Sequence, residues 1–242
     1  MKTTQAPPAL IKPLSDASSG DARSLSETLF EQLSEAIVRG EFAPGQKLSE
    51  PRLAAHYGVS RGSLREAIRR LEERKLVIRA PRQGVRVVAP CGQKANELMQ
   101  MREVLEGLAA REAAHRATPA EVAELRAMLA RHRQALEDPE ALLYWQERVN
   151  SDFHFAVARL SGNGELCALL CDAYYPLLRL YRMQHRMVPG RAHLALFEHE
   201  RIVEAIADRD GELAELLMRR HIGRARQVFE DRPATGLTGA AS

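Results

Sequence analysis

The stretch PRLAAHYGVSRGSLREAIRRLEERK, Pro51 to Lys75, decides the fold of the N-terminal half. Two helical patterns flank the tight turn YGVS. Ser49 can cap the first, with Pro51 in its first turn, and Gly58 can end it after His56 or Tyr57. Ser60 can cap the second, where Leu64, Ala67, Ile68 and Leu71 share one face. Two helices joined in this way form a helix-turn-helix. Burying Leu64, Ile68 and Leu71 turns Arg61, Ser63, Arg65 and Arg69 outward, near a helix start whose free N–H groups and partial positive charge suit phosphate. Arginine can grip guanine bidentately in a major groove, and serine can donate to phosphate or base edges.

Working outward, Leu25, Leu29, Leu33, Ile37 and Val38 recur at helical spacing upstream, and Gly40 stops that helix. A turn at Pro44-Gly45 follows. Downstream, LVIRA and GVRVV flank PRQG and predict a small β-hairpin. Its tip, Arg82-Gln83-Gly84, is placed to reach an adjacent groove as a wing. Basic residues outnumber acidic ones between Ser24 and Val88, although the whole chain carries a net charge of only +3. That distribution suggests a polyanion-binding module joined to something else. The alternative is a solvated basic face on a small helical domain.

The remainder of the 242 residues reads as helical nearly to its end. Helices are expected from Ala95 to Arg116, from the capping-box-like Thr118-Pro119 with Glu121, and from Asp138-Pro139 to the stop at SGNG. Further helices are expected from Glu165 to Met187, kinked near Pro176, from Arg191 to Ala207, and from the cap at Asp210 to Glu230. Six antiparallel helices with short loops predict a bundle. The expected fold class is mainly α: an N-terminal winged helix-turn-helix with a small β-hairpin, then a six-helix bundle. The expected organisation is a disordered leader over 1–23, a DNA-binding domain over 24–89, a linker over 90–94, a helical domain over 95–232 and a flexible tail over 233–242. No run of roughly 18 apolar residues marks a membrane span, and the leader lacks a signal-peptide core. A cytoplasmic protein with no membrane partner is expected. Cys91, Cys167 and Cys171 have no framework spacing. Cys167 and Cys171 share a helix face, as small buried hydrophobes or as a metal pair.

Within the helical half, His154, His199 and His221 each fall among apolar residues, on the third, fifth and sixth helices. Facing side chains of a bundle can meet in the core, and neutral imidazole is a good metal ligand. A lone helical histidine is also commonly structural, so spacing leaves both readings open. Along the helix expected through VNSDFHFAVARL, Asp152 diverges from His154 by roughly 200° and points away from it, and Asn150 stacks one turn before it. An amide oxygen brings no charge, so a site completed by Asn150 is expected to bind more weakly than one with Asp, or to favour imidazole-loving metals such as Zn²⁺ or Ni²⁺.

The run IVRGEFAPGQKLSEPRLAAHYGVSRGSLREAIRRLEERKLVIRAPRQGVRVV resembles the winged helix-turn-helix of GntR-family transcription regulators. The resemblance implies a homodimer on a palindromic double-stranded DNA operator, with contacts from Arg61, Ser63, Arg65 and the wing glycine Gly84. Arg52, Ser60, Arg69 and Arg82 complete the candidate DNA-binding set, while Gly62 stands where the family often has threonine. MREVLEGLAAREAA, NSDFHFAVARLSGN and EHERIVEAIADRDGELAELLMRRH resemble the ligand-binding domain of the FadR subfamily. Many such domains hold a metal through one Asp and three His. Those positions match His154, His199 and His221, and the Asp position falls on Asn150.

The resemblance further implies a small carboxylate effector, of the sugar acid, hydroxy acid or dicarboxylate class, held at Arg102. An i,i+4 ion pair with Glu106 is the structural alternative for Arg102. Arg179 and Tyr181 are further pocket candidates. The function implied is a metabolite-responsive regulator, most often a repressor in this family. The alternative is a metal-dependent enzyme, for which the sequence shows no HExxH, GxSxG or phosphate loop. A nonspecific DNA-coating protein is a third possibility.

Overall fold

A computed structural model describes residues 24–80, 84–89, 92–137, 152–174, 176–180 and 190–230. Two compact units emerge, Met1–Pro90 with Tyr174–Met183, and Cys91–Ala173 with Gln184–Ser242. In the first unit α1 spans Leu25–Val38, capped by Ser24, whose Oγ accepts from the Glu27 N–H at 3.3 Å. Then α2 (Glu50–Tyr57) and α3 (Arg61–Glu73) flank a turn in which Gly58 takes φ +64, a left-handed conformation that side chains other than glycine's resist. Their buried faces meet those of α1 in one core built on Leu29, Leu33, Ile37, Tyr57, Leu64, Ile68 and Leu71.

The expected hairpin is the larger part of a three-stranded antiparallel sheet. β1 (Lys47–Leu48) pairs with β3 (Gly84–Val87), which pairs with β2 (Val77–Ala80) in the order β1-β3-β2. Gly84, at φ +82, starts β3 where a Cβ would come 3.3 Å from Lys47 Cε. Of the described residues, 174 and 176–180 group with this unit. Leu180 joins its core, Arg179 forks onto Glu35 of α1 at 2.8 and 3.1 Å, and Lys75 Nζ donates to the Tyr174 hydroxyl at 3.0 Å.

The second unit is helical throughout its described residues. It comprises α4 (Gly92–Arg116), α5 (Pro119–Glu137), α6 (Phe153–Leu160), α7 (Gly164–Cys167) with a π-helical continuation over Ala168–Ala173, α8 (Arg191–Ala207) and α9 (Gly211–Glu230). The α5 start is a true capping box. The Thr118 N–H donates to Glu121 Oε2 at 2.8 Å, and the Glu121 N–H donates to Thr118 Oγ1 at 3.3 Å. α4 packs most extensively on α9 and buries the small residues Ala110, Ala113 and Ala114. Gly107 lies on the same contact, where a Cβ would meet Arg219 Cγ at 2.7 Å.

Two helix expectations are corrected. The helix carrying His154 does not run unbroken through residue 152. Asp152 is its N-cap, with extended φ −89 and ψ 112, and its Oδ1 accepts from the His154 N–H at 3.0 Å. The expected helix from Glu165 onward is α-helical only to Cys167, widens into the π-helical segment, bends at Tyr174 and resumes over 176–180. The Asp138-Pro139 start, the leader, the tail, Cys91, Arg82, Asn150 and Tyr181 lie outside the described residues.

Candidate functional site

The second unit brings the three candidate histidines together. His154 leaves the first turn of α6, His199 the middle of α8 and His221 the middle of α9. One ligand atom from each lies within 4.8 Å of the others. His199 Nε2 and His221 Nε2 are 3.2 Å apart, and the Phe153 ring stacks on His199 with centroids 4.0 Å apart. All three are nearly enclosed, at 8 % exposure for His199, 4 % for His221 and 10 % for the His154 side chain.

Burial sets their charge. Desolvation pushes the His221 pKa down to about 4, against the pull of the Glu198 carboxylate. Desolvation also drives His199 well below the usual imidazole range, with His221, His154 and His132 adding repulsion. Both are neutral near pH 7, the form in which imidazole ligates metal. Three buried imidazoles with converging nitrogens fit a divalent cation and not an anion. His132, buried on α5, belongs to the same electrostatic neighbourhood and carried no signal that singled it out in sequence.

Two carboxylates, which no local sequence pattern assigns to it, complete the cluster. Glu106 Oε2 lies 2.6 Å from His154 Nδ1, while its Oε1 accepts from Arg102 Nε at 2.6 Å. Glu198 Oε2 accepts from His221 Nδ1 at 2.6 Å and from Arg191 Nη1 at 2.9 Å, and its Oε1 accepts from Arg224 Nη1 at 2.6 Å. Burial is the largest influence on Glu106 and opposes ionisation. Arg102 and His154 together overcome it and hold the carboxyl well below the usual range. Burial likewise raises Glu198, and its His221 and Arg224 partners bring it down to about 2.

Arg102 therefore makes the i,i+4 ion pair with Glu106 and is buried with it. The pairing leaves Nη2 buried with no hydrogen-bond partner among the described residues. Arg179, expected beside Arg102, instead pairs with Glu35 in the first unit. Cys167 and Cys171 are free thiols, and burial pushes the Cys171 thiol up, so it behaves as an apolar side chain.

The first unit exposes the other candidate surface. Ser60 caps α3 by accepting from the Ser63 N–H at 3.1 Å, and its hydroxyl lies 3.0 Å from that of Ser63. Arg52, Arg61, Arg65 and Gly84 are exposed. A cleft lined by Lys47, Ser49, Arg61, Arg65 and Gly84 joins the start of α3 to the wing strand. Glu50 sits in that cleft, 3.5 Å from both Arg65 Nε and Arg79 Nη1, as an internal anion. Arg69 is clasped by Glu66 and Glu73 of its own helix, so much of its charge is already offset.

Comparison with known proteins accounts for both halves. Residues 25–87 match the family described as bacterial regulatory proteins, gntR family, and residues 97–224 match the FCD domain. The HTH-type transcriptional regulator YdhC of Bacillus subtilis is 31 % identical over 76 % of this chain and 82 % of its own length. The HTH-type transcriptional repressor NanR of Salmonella schwarzengrund is 29 % identical over 83 % of this chain and 82 % of its own. Among solved structures, E. coli McbR/YncC superposes with a TM-score of 0.69 at 23 % identity, covering 86 % of this chain and 98 % of that one. A GntR regulator from Rhodococcus sp. RHA1 gives a TM-score of 0.67 at 27 % identity, covering 85 % and 97 %. These relatives are transcription regulators and not enzymes. No helix among the described residues is long and apolar enough to cross a membrane. The chain belongs to the GntR family of transcription regulators, with a gntR helix-turn-helix followed by a ligand-binding FCD domain.

Proposed function

We propose that this regulator is a cytoplasmic repressor that binds a palindromic operator as a homodimer and responds to a small carboxylate at a metal centre. The observation that carries the reading is the contact chain Arg102–Glu106–His154. It ties a buried guanidinium with a spare donor to the cluster of three histidines. His154, His199 and His221 would hold the cation, zinc or nickel by their imidazole character, with Asn150 as the candidate fourth donor. When bound, the cation supplies a Lewis-acid point for a carboxylate oxygen. Arg102 Nη2 supplies the matching charge-assisted donor for the same acid.

On the DNA side, the α3 N-terminus with Arg61, Ser63 and Arg65 reads the major groove, and the wing led by Gly84 reaches the neighbouring groove. Exposed Val104 and Leu108 of α4, and Leu213 and Leu216 of α9, give two mutually packed helices an apolar surface suited to a second copy. Repression is favoured by the likeness to NanR, a transcriptional repressor. The test is fluorescence anisotropy on DNA selected by the protein from a random pool, with sugar acids, hydroxy acids and dicarboxylates titrated into zinc-loaded and chelator-stripped protein. A carboxylate that shifts operator affinity only in the loaded protein supports the reading. Identical affinities under every acid would sink it.

A further inference from the structure

We infer that Glu50 is a positioning residue for DNA recognition. Anchored by Arg79 of the wing strand β2, it holds Arg65 by Nε and turns the two terminal nitrogens of that guanidinium toward a base edge. The inference rests on the helix-turn-helix reading above and adds to it a residue that makes no DNA contact of its own. A carboxylate is out of place on a phosphate-binding surface, because it repels the polyanion. Glu50 nevertheless opens α2 inside the cleft lined by Lys47, Arg61, Arg65 and Gly84, with its side chain half-buried. Its two oxygens serve two different elements. Oε2 accepts from Arg65 Nε of α3, and Oε1 lies beside Arg79 Nη1 of β2, each at 3.5 Å. Arg79 Nε lies in turn 3.8 Å from Glu72 Oε2 of α3. One carboxylate thus ties the recognition helix to the wing strand. An acid in a first turn also favours its own helix, but that role needs no partner on β2.

The atom of Arg65 that Glu50 engages decides what remains for DNA. With Nε occupied, Nη1 and Nη2 are left as a fork of parallel donors, which matches guanine O6 and N7. The Arg65 side chain is 72 % exposed, so without a tether it samples many rotamers, and ordering such a chain at an interface costs affinity. Phosphate oxygens accept a guanidinium from many directions, whereas a base edge accepts it in one plane. The tether therefore favours the selected sequence over DNA at large. Exposed ion pairs contribute little to folding, so the effect belongs to recognition and not to stability.

Glu50→Gln tests this, because glutamine keeps the shape and removes the charge that holds Arg65. Fluorescence anisotropy at one salt concentration compares the operator selected from the random pool with a scrambled duplex. Affinity for the scrambled duplex should hold or rise, because an anion leaves the cleft. The ratio of operator to scrambled affinity should fall about 3–10-fold. Arg79→Gln, which leaves Glu50 without its anchor, should lower the same ratio by less. In an Arg65→Ala background, Glu50→Gln should leave the ratio unchanged. A urea midpoint close to wild type separates these losses from a folding defect. Equal changes on both duplexes, or an undiminished loss of ratio in the Arg65→Ala background, would overturn the inference. Side-chain ¹⁵N relaxation of the DNA-free protein is the second readout, with Arg61, which has no carboxylate partner among the described residues, as the reference. Arg65 Nε–H should be more ordered than Arg61 Nε–H in wild type and match it in Glu50→Gln; equal order in wild type overturns the inference as well. A wild type that prefers neither duplex sinks the DNA reading instead, and relaxation alone then decides whether Glu50 positions Arg65.

Discussion

Replacing Arg102 by methionine tests whether the Arg102–Glu106 pair is the electrostatic keystone of the helical unit. Arg102 is 1 % exposed and Glu106 3 %, with Nε 2.6 Å from Oε1. Methionine keeps much of the length and packing but removes the charge. Among the described residues, the Glu106 carboxylate is then left in the interior with the His154 imidazole beside it. Removing one partner of a buried pair costs about 3–5 kcal/mol. At about 2–4 °C per kcal/mol for a domain of this size, the melting point should fall by roughly 6–20 °C.

The sign of the pH dependence is a second, independent readout. Without Arg102 the folded-state pKa of Glu106 rises above its unfolded value, so the folded protein takes up a proton as pH falls. The deficit relative to wild type should therefore shrink between pH 8 and pH 5. Arg102→Met/Glu106→Gln should recover most of the loss at pH 8, because neither residue of the pair then carries a buried charge. Urea unfolding in chelator measures all three proteins. A single-variant cost below about 1 kcal/mol, with no pH dependence and no recovery in the double variant, would refute the reasoning.

Three further outcomes are expected. Arg65→Ala should weaken binding to the selected operator and reduce the slope of log K against log salt by about 0.9, since one cationic charge at the DNA is lost, as anisotropy in a salt series will show. Gly58→Ala should cost about 1–2 kcal/mol in urea unfolding; nothing within 4 Å opposes the new Cβ, so the cost is that of φ +64 alone. In chelator, stability should fall as pH drops below 6.5, because His221, with a folded pKa of about 4, stays neutral while its unfolded counterpart gains a proton. Buried His199 acts in the same direction, and each contributes up to about 1.4 kcal/mol per pH unit. His199→Phe should flatten that slope between pH 6.5 and 5.

The helix-turn-helix was legible because local signals agree along it. Ser60, Gly58 and the Leu64, Ile68, Leu71 face each specify the same structure without help from distant residues. β1 escaped notice because two residues carry no alternation to read. The histidine cluster was legible as three residues on inward faces, since each sits within an apolar helical stripe. The buried stripe of α4 runs through Met99, Arg102, Glu106, Ala109 and Ala113, so its two charges were visible as an ion pair at i,i+4. That Glu106 also reaches His154 depends on α4 packing against α6, which no local pattern reports.

Apolar periodicity continues past Asp152 and predicts helix interior there. The preference of Asp152 for the N-cap, which the structure obeys, was the stronger signal. Arg179 pairs with Glu35, 144 residues away in sequence, and sequence reading had no means to find that partner.

The central claim is that His154, His199 and His221 form one metal site, and zinc titration into chelator-stripped protein tests it most directly. One tightly held equivalent per chain is expected in wild type, and none in His199→Ala, with operator binding intact in both. Absence of saturable zinc uptake in wild type, or an undiminished equivalent in His199→Ala, would contradict it.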